Sequence, residues 1–208
     1  IQIGIGKVPA AVLGALHDRR RLGLHSGLVA DEIADLHAAG VVGKMVCTAA
    51  IGTAKVYDWA GECPDLRFAP VSHTHDLAVI AAIPNFVAIN SVLSVDLAGQ
   101  ANAEMVDGRQ VSGTGGLLDF VRGARASQDG RSILALPSTA AGGGASRIVA
   151  RLGERDVVSC PRADADIVVT EHGIAELRDR SLEERADALI RLAAPAFREE
   201  LARAWRAR

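Results

Sequence analysis

Between Ile1 and Trp59 the chain repeats one order of events: a short apolar run, a corner containing glycine, then apolar residues at helical spacing. Ile1 to Ile5 ends at Gly6, and Pro9 sits in the first turn of a stretch whose apolar positions are Ala11, Val12, Ala15 and Leu16. Leu22 to His25 stops at His-Ser-Gly and passes into Leu28, Val29, Ile33 and Leu36, with Gly40 as the helix stop. Lys44 to Ile51, "KMVCTAAI", precedes Thr53 to Trp59 in the same way. Strand-helix units in succession predict an α/β fold with a mainly parallel sheet and flanking helices.

From Phe86 the pattern changes. "FVAINSVLSVDLAGQANAEMVDGRQVSGTGG" shows β-type alternation and glycine turns with no helical periodicity before Leu117, which predicts a strand-rich segment with hairpins. Further strands are expected at Ser132 to Leu136, Val157 to Cys160 and Ile167 to Thr170. Ser181-Leu-Glu-Glu184 is a capping-box pattern opening a helix with Leu182, Ala186, Leu189, Ile190 and Ala193 on one face. "APAFREELARAWRAR" reads as a charged amphipathic helix whose apolar stripe belongs to the core. With no linker or low-complexity stretch, residues 1–208 are expected to form one domain.

Composition excludes several classes of function. A net charge of -2 and 3% aromatic residues leave neither a basic footprint nor stacking platforms, so nucleic acid is not an expected partner. Cys47, Cys63 and Cys160 are far apart without metal-ligand spacing, so no metal is expected and a reducing, cytoplasmic setting is. His73 and His75 in "SHTHD" lack a third ligand in view and read as a solvated loop. No apolar run approaches the roughly 18 residues of a membrane span. The chain opens without Met inside a strand-like run, which suggests the C-terminal part of a longer protein.

Three glycine-rich corners are candidates for chemistry: Gly4-Ile5-Gly6-Lys7-Val8, Ser112-Gly113-Thr114-Gly115-Gly116 and Ser138-Thr139-Ala140-Ala141-Gly142-Gly143-Gly144. Glycine lets backbone N–H groups approach a phosphate, carboxylate or oxyanion closely. None completes a dinucleotide fingerprint or a phosphate loop, and each alone is also a plain tight turn.

Taken in order, "IGIGKVPAAVL", "LGLHSGLVADEIADL", "VAINSVLSVDLAGQ", "VSGTGGLLDFVRGA", "ILALPSTAAGGGASRIV", "DIVVTEHGIAELRDRSLEERADALI" and "PAFREEL" resemble the C-terminal domain of the acetyl-CoA hydrolase/transferase family. The resemblance spans essentially the whole chain and implies a CoA-transferase-type fold, the second of two related halves, with the N-terminal half as partner and a site at their junction. It implies CoA or acyl-CoA and a carboxylic acid as ligands, and a homodimer. In the family a glutamate attacks the acyl-CoA carbonyl and becomes a glutamyl thioester, a covalent intermediate that conserves the thioester's energy. Gly4, Ile5, Gly6, Lys7 and Val8 fall on the first CoA-contacting turn. Asn90 and Leu93 fall on a stretch lining the CoA site, and Gly113, Gly115 and Gly116 on a GxGG loop suited to an acyl oxyanion.

Two positions depart from the family pattern. The nucleophilic glutamate of the (H/Y)-(S/T)-Glu block is Gly27 here, and the lysine of the STAKGG loop is Ala141. His25 as a general base for water, Glu32 on the following helix and Glu104 in the "GQANAE" turn are the candidate substitutes. Structural alternatives stand beside His25 and Glu32. His25 suits a strand-end backbone bond, and Asp31 and Glu32 suit the first turn of a helix. A turn of helix displaces a side chain by about 5 Å, which alters the attack geometry. Ser26 lacks the context of a nucleophile elbow. Glu171-His172 reads as support for a sheet edge. The expected function is acyl-CoA processing by CoA transfer or thioester hydrolysis; the alternative is a non-catalytic acyl-CoA-binding or regulatory subunit.

Overall fold

A computed structural model describes residues 1–4, 6–140 and 142–208, with the Lys7 side chain also outside the description. The expected contact at Ile5 and the departure at Ala141 therefore lie outside the described residues. The chain divides into two compact units: unit 1 is Ile1–Asn90 with Arg122–Arg131, and unit 2 is Ser91–Val121 with Ser132–Arg208.

Unit 1 begins with β1 (Gln2–Ile3) and α1 (Lys7–Gly14), followed by β2 (Leu22–Val29), α2 (Asp31–Ala38), β3 (Val42–Ala50), α3 (Ala54–Glu62) and β4 (Leu66–Phe68). Two short helices, α4 (Val71–Thr74) and α5 (Leu77–Ala81), lead to β5 (Val87–Ser91). Strands β2, β3 and β4 form a parallel sheet, and β5 pairs in parallel with β1. The strand-helix repeat thus gives the predicted parallel pairing. Helix α2 buries Ile33, Ala34 and Leu36, where each fully buried aliphatic side chain contributes about 1.5–3 kcal/mol. It stops as its sequence dictates. Gly40 takes φ +70°, its N–H bonds the His37 carbonyl and the Val41 N–H bonds the Leu36 carbonyl, the two bonds of a Schellman cap.

The second strand is longer than its sequence suggests. It continues through Gly27 to Val29, in register with β3 at Ser26↔Cys47 and Leu28↔Ala49, and α2 starts only at Asp31. Gly27 is a strand residue and not the corner itself. Leu28 and Val29 fit helical spacing with Ile33 and Leu36, but a β-branched residue beside an unfilled ladder position is recruited by the neighbouring strand.

Unit 2 contains β6 (Ser94–Asp96), β7 (Ala101–Asn102) and the hairpin of β8 (Met105–Val106) and β9 (Arg109–Gln110). Asp107 and Gly108, at φ 52° and 75°, make the two-residue turn that Asp-Gly favours. Helix α6 (Leu117–Ala126) carries the chain out of this unit. Strand β10 (Arg131–Ala135) pairs in parallel with β12 (Ile167–Thr170), and β13 (Gly173–Glu176) pairs antiparallel to β12. Strand β11 (Ile148–Val149) lies parallel to β6. Helices α7 (Leu182–Leu192) and α8 (Pro195–Arg206) close the chain, and the Ser181/Glu184 capping box is present in full. The core gathers Leu97, Leu134, Ile148, Val168, Leu177 and Leu189, all sealed from solvent.

Val157 to Cys160 is not a strand. Cys160 exchanges backbone bonds with Ala101 as an isolated bridge, Val157 and Val158 are exposed, and Pro161, lacking an N–H, ends the pairing. The SHTHD segment is likewise helical at His73, within α4, where a loop was expected.

Candidate functional site

In unit 1 the first glycine corner is built on a pair of buried amides. Gln2 Nε2 donates to Asn90 Oδ1 at 3.1 Å, and Asn90 Nδ2 donates back to Gln2 Oε1 at 3.0 Å. Gly4 donates its N–H to the Ile89 carbonyl at 2.8 Å. A Cβ at Gly4 would stand 2.8 Å from Asn90 Oδ1, so the amide pair leaves room for glycine alone. Gly6 precedes α1 at φ 128°, a backbone conformation that only glycine holds without strain, and Val8 lies in that helix's first turn. The expected binding residue Asn90 thus supports this turn through an amide tied to Gln2.

A cleft of about 150 Å³ opens beside the turn, lined by Ile3, Gly4, Gly6, Leu28, Ala30 and Glu32 among others. Glu32 is exposed in the first turn of α2. Its neighbour Asp31 is fully employed. The Asp31 carboxylate accepts from the Thr53 N–H and hydroxyl, both at 3.0 Å, and from the Val56 N–H at 3.1 Å, so it caps α3 from another helix. These bonds, the Thr53 N–H first, hold its pKa below the ordinary carboxylate value. A Cβ at Gly52 would fall 2.8 Å from Asp31 Oδ2, which explains glycine there.

His25 belongs to a different cavity of about 330 Å³, with Leu24, Lys44, Ile83 and Phe86 in its wall. It is buried, and its Nε2–H donates to the Thr74 carbonyl at 2.8 Å, which leaves Nδ1 as the acceptor nitrogen. The ring stands edge-on to Phe86 and 5.9 Å from His73. Burial pushes its pKa down, the Thr74 bond opposes this, and His73 adds to the lowering. Gly27 lies two residues further along β2, on the same face of the strand, and is half-buried. Ser26, on the opposite face, donates to the Ile3 carbonyl at 3.3 Å.

In unit 2 the segment after β7 is organised by Asn102. Its Oδ1 accepts from the N–H groups of Glu104 and Met105, both at 2.9 Å. Glu104 Oε1 accepts from the Ser159 hydroxyl at 2.7 Å, and its carbonyl receives the N–H groups of Val111 and Ser112. That candidate carboxylate therefore ties the entry of the GxGG loop to the Ser159 segment. Gly113, Gly115 and Gly116 form an open loop running into α6. Gly115 has φ +53°, and a Cβ built on Gly113 or Gly115 would meet nothing within 4 Å. Open space above backbone N–H groups is what an approaching oxyanion needs.

Leu93 is fixed through its main chain. Its N–H donates to the Asn102 carbonyl at 2.7 Å, and its carbonyl accepts from Arg147 Nη1 at 3.1 Å. Ser138 starts the third glycine corner, and Glu171 clamps it, accepting from the Ser138 hydroxyl at 2.5 Å and N–H at 2.9 Å. Burial alone would raise the Glu171 pKa, but the Ser138 bonds outweigh it and bring it below the ordinary value. Gln2, Arg147 and the Ser138–Glu171 clamp escaped sequence reasoning. An arginine inside the apolar "SRIVA" run was the one available signal. Among the described residues no group of three or more His, Cys, Asp or Glu side chains is disposed to hold a metal, and no helix is long and apolar enough to cross a membrane. His73 is engaged by Arg67 Nη2 at 2.9 Å.

A family model described as the acetyl-CoA hydrolase/transferase C-terminal domain matches residues 52–205. The chain is 41% identical over 210 residues to a 4-hydroxybutyrate coenzyme A transferase of Clostridium kluyveri, covering 97% of this chain and 49% of that protein. It is 30% identical to an acetyl-CoA hydrolase of Kluyveromyces lactis, covering 92% of this chain and 37% of that protein. Among solved structures, RipA from Yersinia pestis superposes with a TM-score of 0.94 at 41% identity, over 99% of this chain and 48% of that one. A 4-hydroxybutyrate CoA-transferase from Porphyromonas gingivalis does so at 0.86 and 36% identity, over 99% and 50%. The chain spans about half the length of these two transferases and of RipA.

Proposed function

Since the chain belongs to the acetyl-CoA hydrolase/transferase C-terminal domain family, an enzyme family, we propose that it is the acyl-CoA-binding part of an enzyme that hydrolyses a CoA thioester or moves CoA to a carboxylic acid. The observation that carries the reading is the cleft in which the Gly4–Gly6 turn and the Glu32 carboxylate meet. Of the candidate substitutes for the family glutamate, His25 is committed to Thr74 and Glu104 to Ser159, whereas Glu32 is exposed in that cleft.

Glu32 lies five residues beyond Gly27, so its carboxylate does not reproduce attack from position 27. Its role in this reading is that of a general base at one remove, activating a water against the thioester carbonyl, which weights the reaction towards hydrolysis. Loss of the covalent step favours hydrolysis for a second reason: without a glutamyl thioester nothing conserves the acyl energy for a carboxylate acceptor. A non-catalytic acyl-CoA-binding subunit is the second reading, favoured by the bare Gly27.

The protein carrying this chain, incubated with acetyl-CoA without an acceptor acid, is expected to release free thiol, and Glu32→Gln to lower that rate roughly 10²- to 10⁴-fold with little change in CoA affinity. CoA binding without thiol release sinks the hydrolytic reading and leaves the binding subunit. A borohydride-reducible adduct on any carboxylate would instead establish a covalent route. Association with an N-terminal half and a second copy, and a cytoplasmic setting, belong to the same proposal. Light scattering of the purified protein tests the assembly.

A further inference from the structure

The loop from Ser138 to Ser146 carries no charged side chain, yet an arginine is built into its base. The Arg147 N–H donates to the Ser138 carbonyl at 2.8 Å, and the Val95 N–H donates to the Arg147 carbonyl at 2.9 Å, so the residue is pinned between the loop and β6. Its guanidinium is half-buried. Nη1 is spent on the Leu93 carbonyl, and Nε is sealed with no acceptor among the described residues. Nη2 has no partner among them either and is not sealed from solvent. No described carboxylate forms an ion pair with this side chain.

A guanidinium N–H takes a carboxylate or phosphate oxygen through a charge-assisted hydrogen bond. Here Nη2 is the donor left open to an incoming anion, because the Leu93 carbonyl has taken Nη1 and fixed the plane of the group while Nε is sealed. A half-buried guanidinium with no carboxylate beside it is a standing cost to the fold, and an anion brought to Nη2 offsets it through the charge. Leu93 and the Ser138 loop hold the arginine in one place, so an incoming anion meets a donor whose ordering entropy is already spent.

We propose that Arg147 is an oxyanion-binding residue of unit 2, taking a phosphate or carboxylate oxygen of the substrate pair on Nη2. This rests on the acyl-CoA reading above. The test uses the protein carrying this chain, with Arg147→Met and Arg147→Lys, and measures the binding of CoA, 3′-dephospho-CoA and butyrate by calorimetry at two salt concentrations. Arg147→Met is expected to weaken at least one of these probes tenfold or more and to flatten its salt dependence; Arg147→Lys, which keeps the charge without the fork, is expected to lose less.

The pattern identifies the source. Loss for CoA but not for dephospho-CoA assigns the 3′-phosphate, equal loss for both assigns the diphosphate, and loss for butyrate alone assigns the acid. A clamp that merely holds Leu93 would lower the melting temperature while leaving the affinities within twofold and the salt slope unchanged, and that result overturns the proposal. If Arg147→Met does not fold, phenylglyoxal labelling of the parent decides. Protection of Arg147 by CoA or butyrate of threefold or more supports the assignment; absent or unprotected labelling overturns it. A parent that binds none of the probes overturns the acyl-CoA reading and this one together, whereas parent binding matched by the Met variant overturns this one alone.

Discussion

Replacing Gly27 with glutamate is the most informative single change. Gly27 is not among the glycines with positive φ, and its neighbours Ser26 and Leu28 are paired to Cys47 and Ala49, so a side chain enters without backbone strain. Filling a strand glycine gains about 0.5–1 kcal/mol, and setting a carboxylate on a half-buried strand position costs about 1–3 kcal/mol. The net loss is about 1–2 kcal/mol, roughly 2–8 °C in melting temperature for a chain of this size. Removing a covalent nucleophile costs enzymes roughly 10⁴- to 10⁶-fold in rate, so Gly27→Glu is expected to raise CoA transfer from acetyl-CoA to butyrate by about 10³-fold or more. Chromatographic detection of butyryl-CoA reads the rate, and borohydride reduction followed by peptide mass analysis reads an adduct at position 27. A folded Gly27→Glu variant that binds acetyl-CoA yet forms no adduct and no butyryl-CoA would refute the assignment of this strand position to the nucleophile.

Three further outcomes follow from the geometry. His25 has a pKa lowered in the fold, so the unfolded chain binds the extra proton first; its stabilising contribution is present above pH ~6.5 and is lost as pH falls through that value towards the folded pKa. The melting temperature should fall on acidification from pH 7 and fall less in His25→Gln; identical profiles would remove His25 as the cause. Cys47 is buried with its thiol pushed up to about 11, whereas Cys63 is partly exposed. Iodoacetamide at neutral pH should therefore label Cys63 well before Cys47, and labelling at equal rates in the folded protein contradicts the burial of β3. Asp166, with a side chain 6% exposed, holds Arg178 through Nε at 3.0 Å and Nη2 at 2.6 Å and accepts from the Ser132 N–H at 3.2 Å. Asp166→Ala should cost about 2–3 kcal/mol in urea denaturation, below the full cost of breaking a buried pair because Arg178 is partly solvated; a change under ~0.5 kcal/mol contradicts it.

Features set by a few neighbouring residues were legible in the sequence. The Gly40 stop and the Ser181/Glu184 capping box each need only local chemistry, and each is present. The extension of β2 through Gly27 was not legible, because a glycine inside an apolar run carries the same signal as a turn and the deciding partner is β3. Val157 to Cys160 erred in the opposite direction: an apolar run with no ladder to join leaves two exposed valines. At the site, the glycines could be read as corners. Asn90 could not be read as the support of Gly4, since its amide partner Gln2 is 88 residues away. Asp31 was legible as a first-turn acid but not as the cap of a second helix, which depends on how α2 and α3 meet.

That Gly27 occupies a paired strand, and not a loop, bears on how such a site evolves. A nucleophile seated on a mobile loop is gained or lost together with the loop's shape, so its history is written in insertions and repacking. Here the backbone seat exists whether or not a side chain fills it, and the ladder on either side does not depend on the answer. On the proposed reading, catalytic competence at this position is separated from the fold by a point mutation, whose cost of about 1–2 kcal/mol is small beside the gain or loss of a reaction.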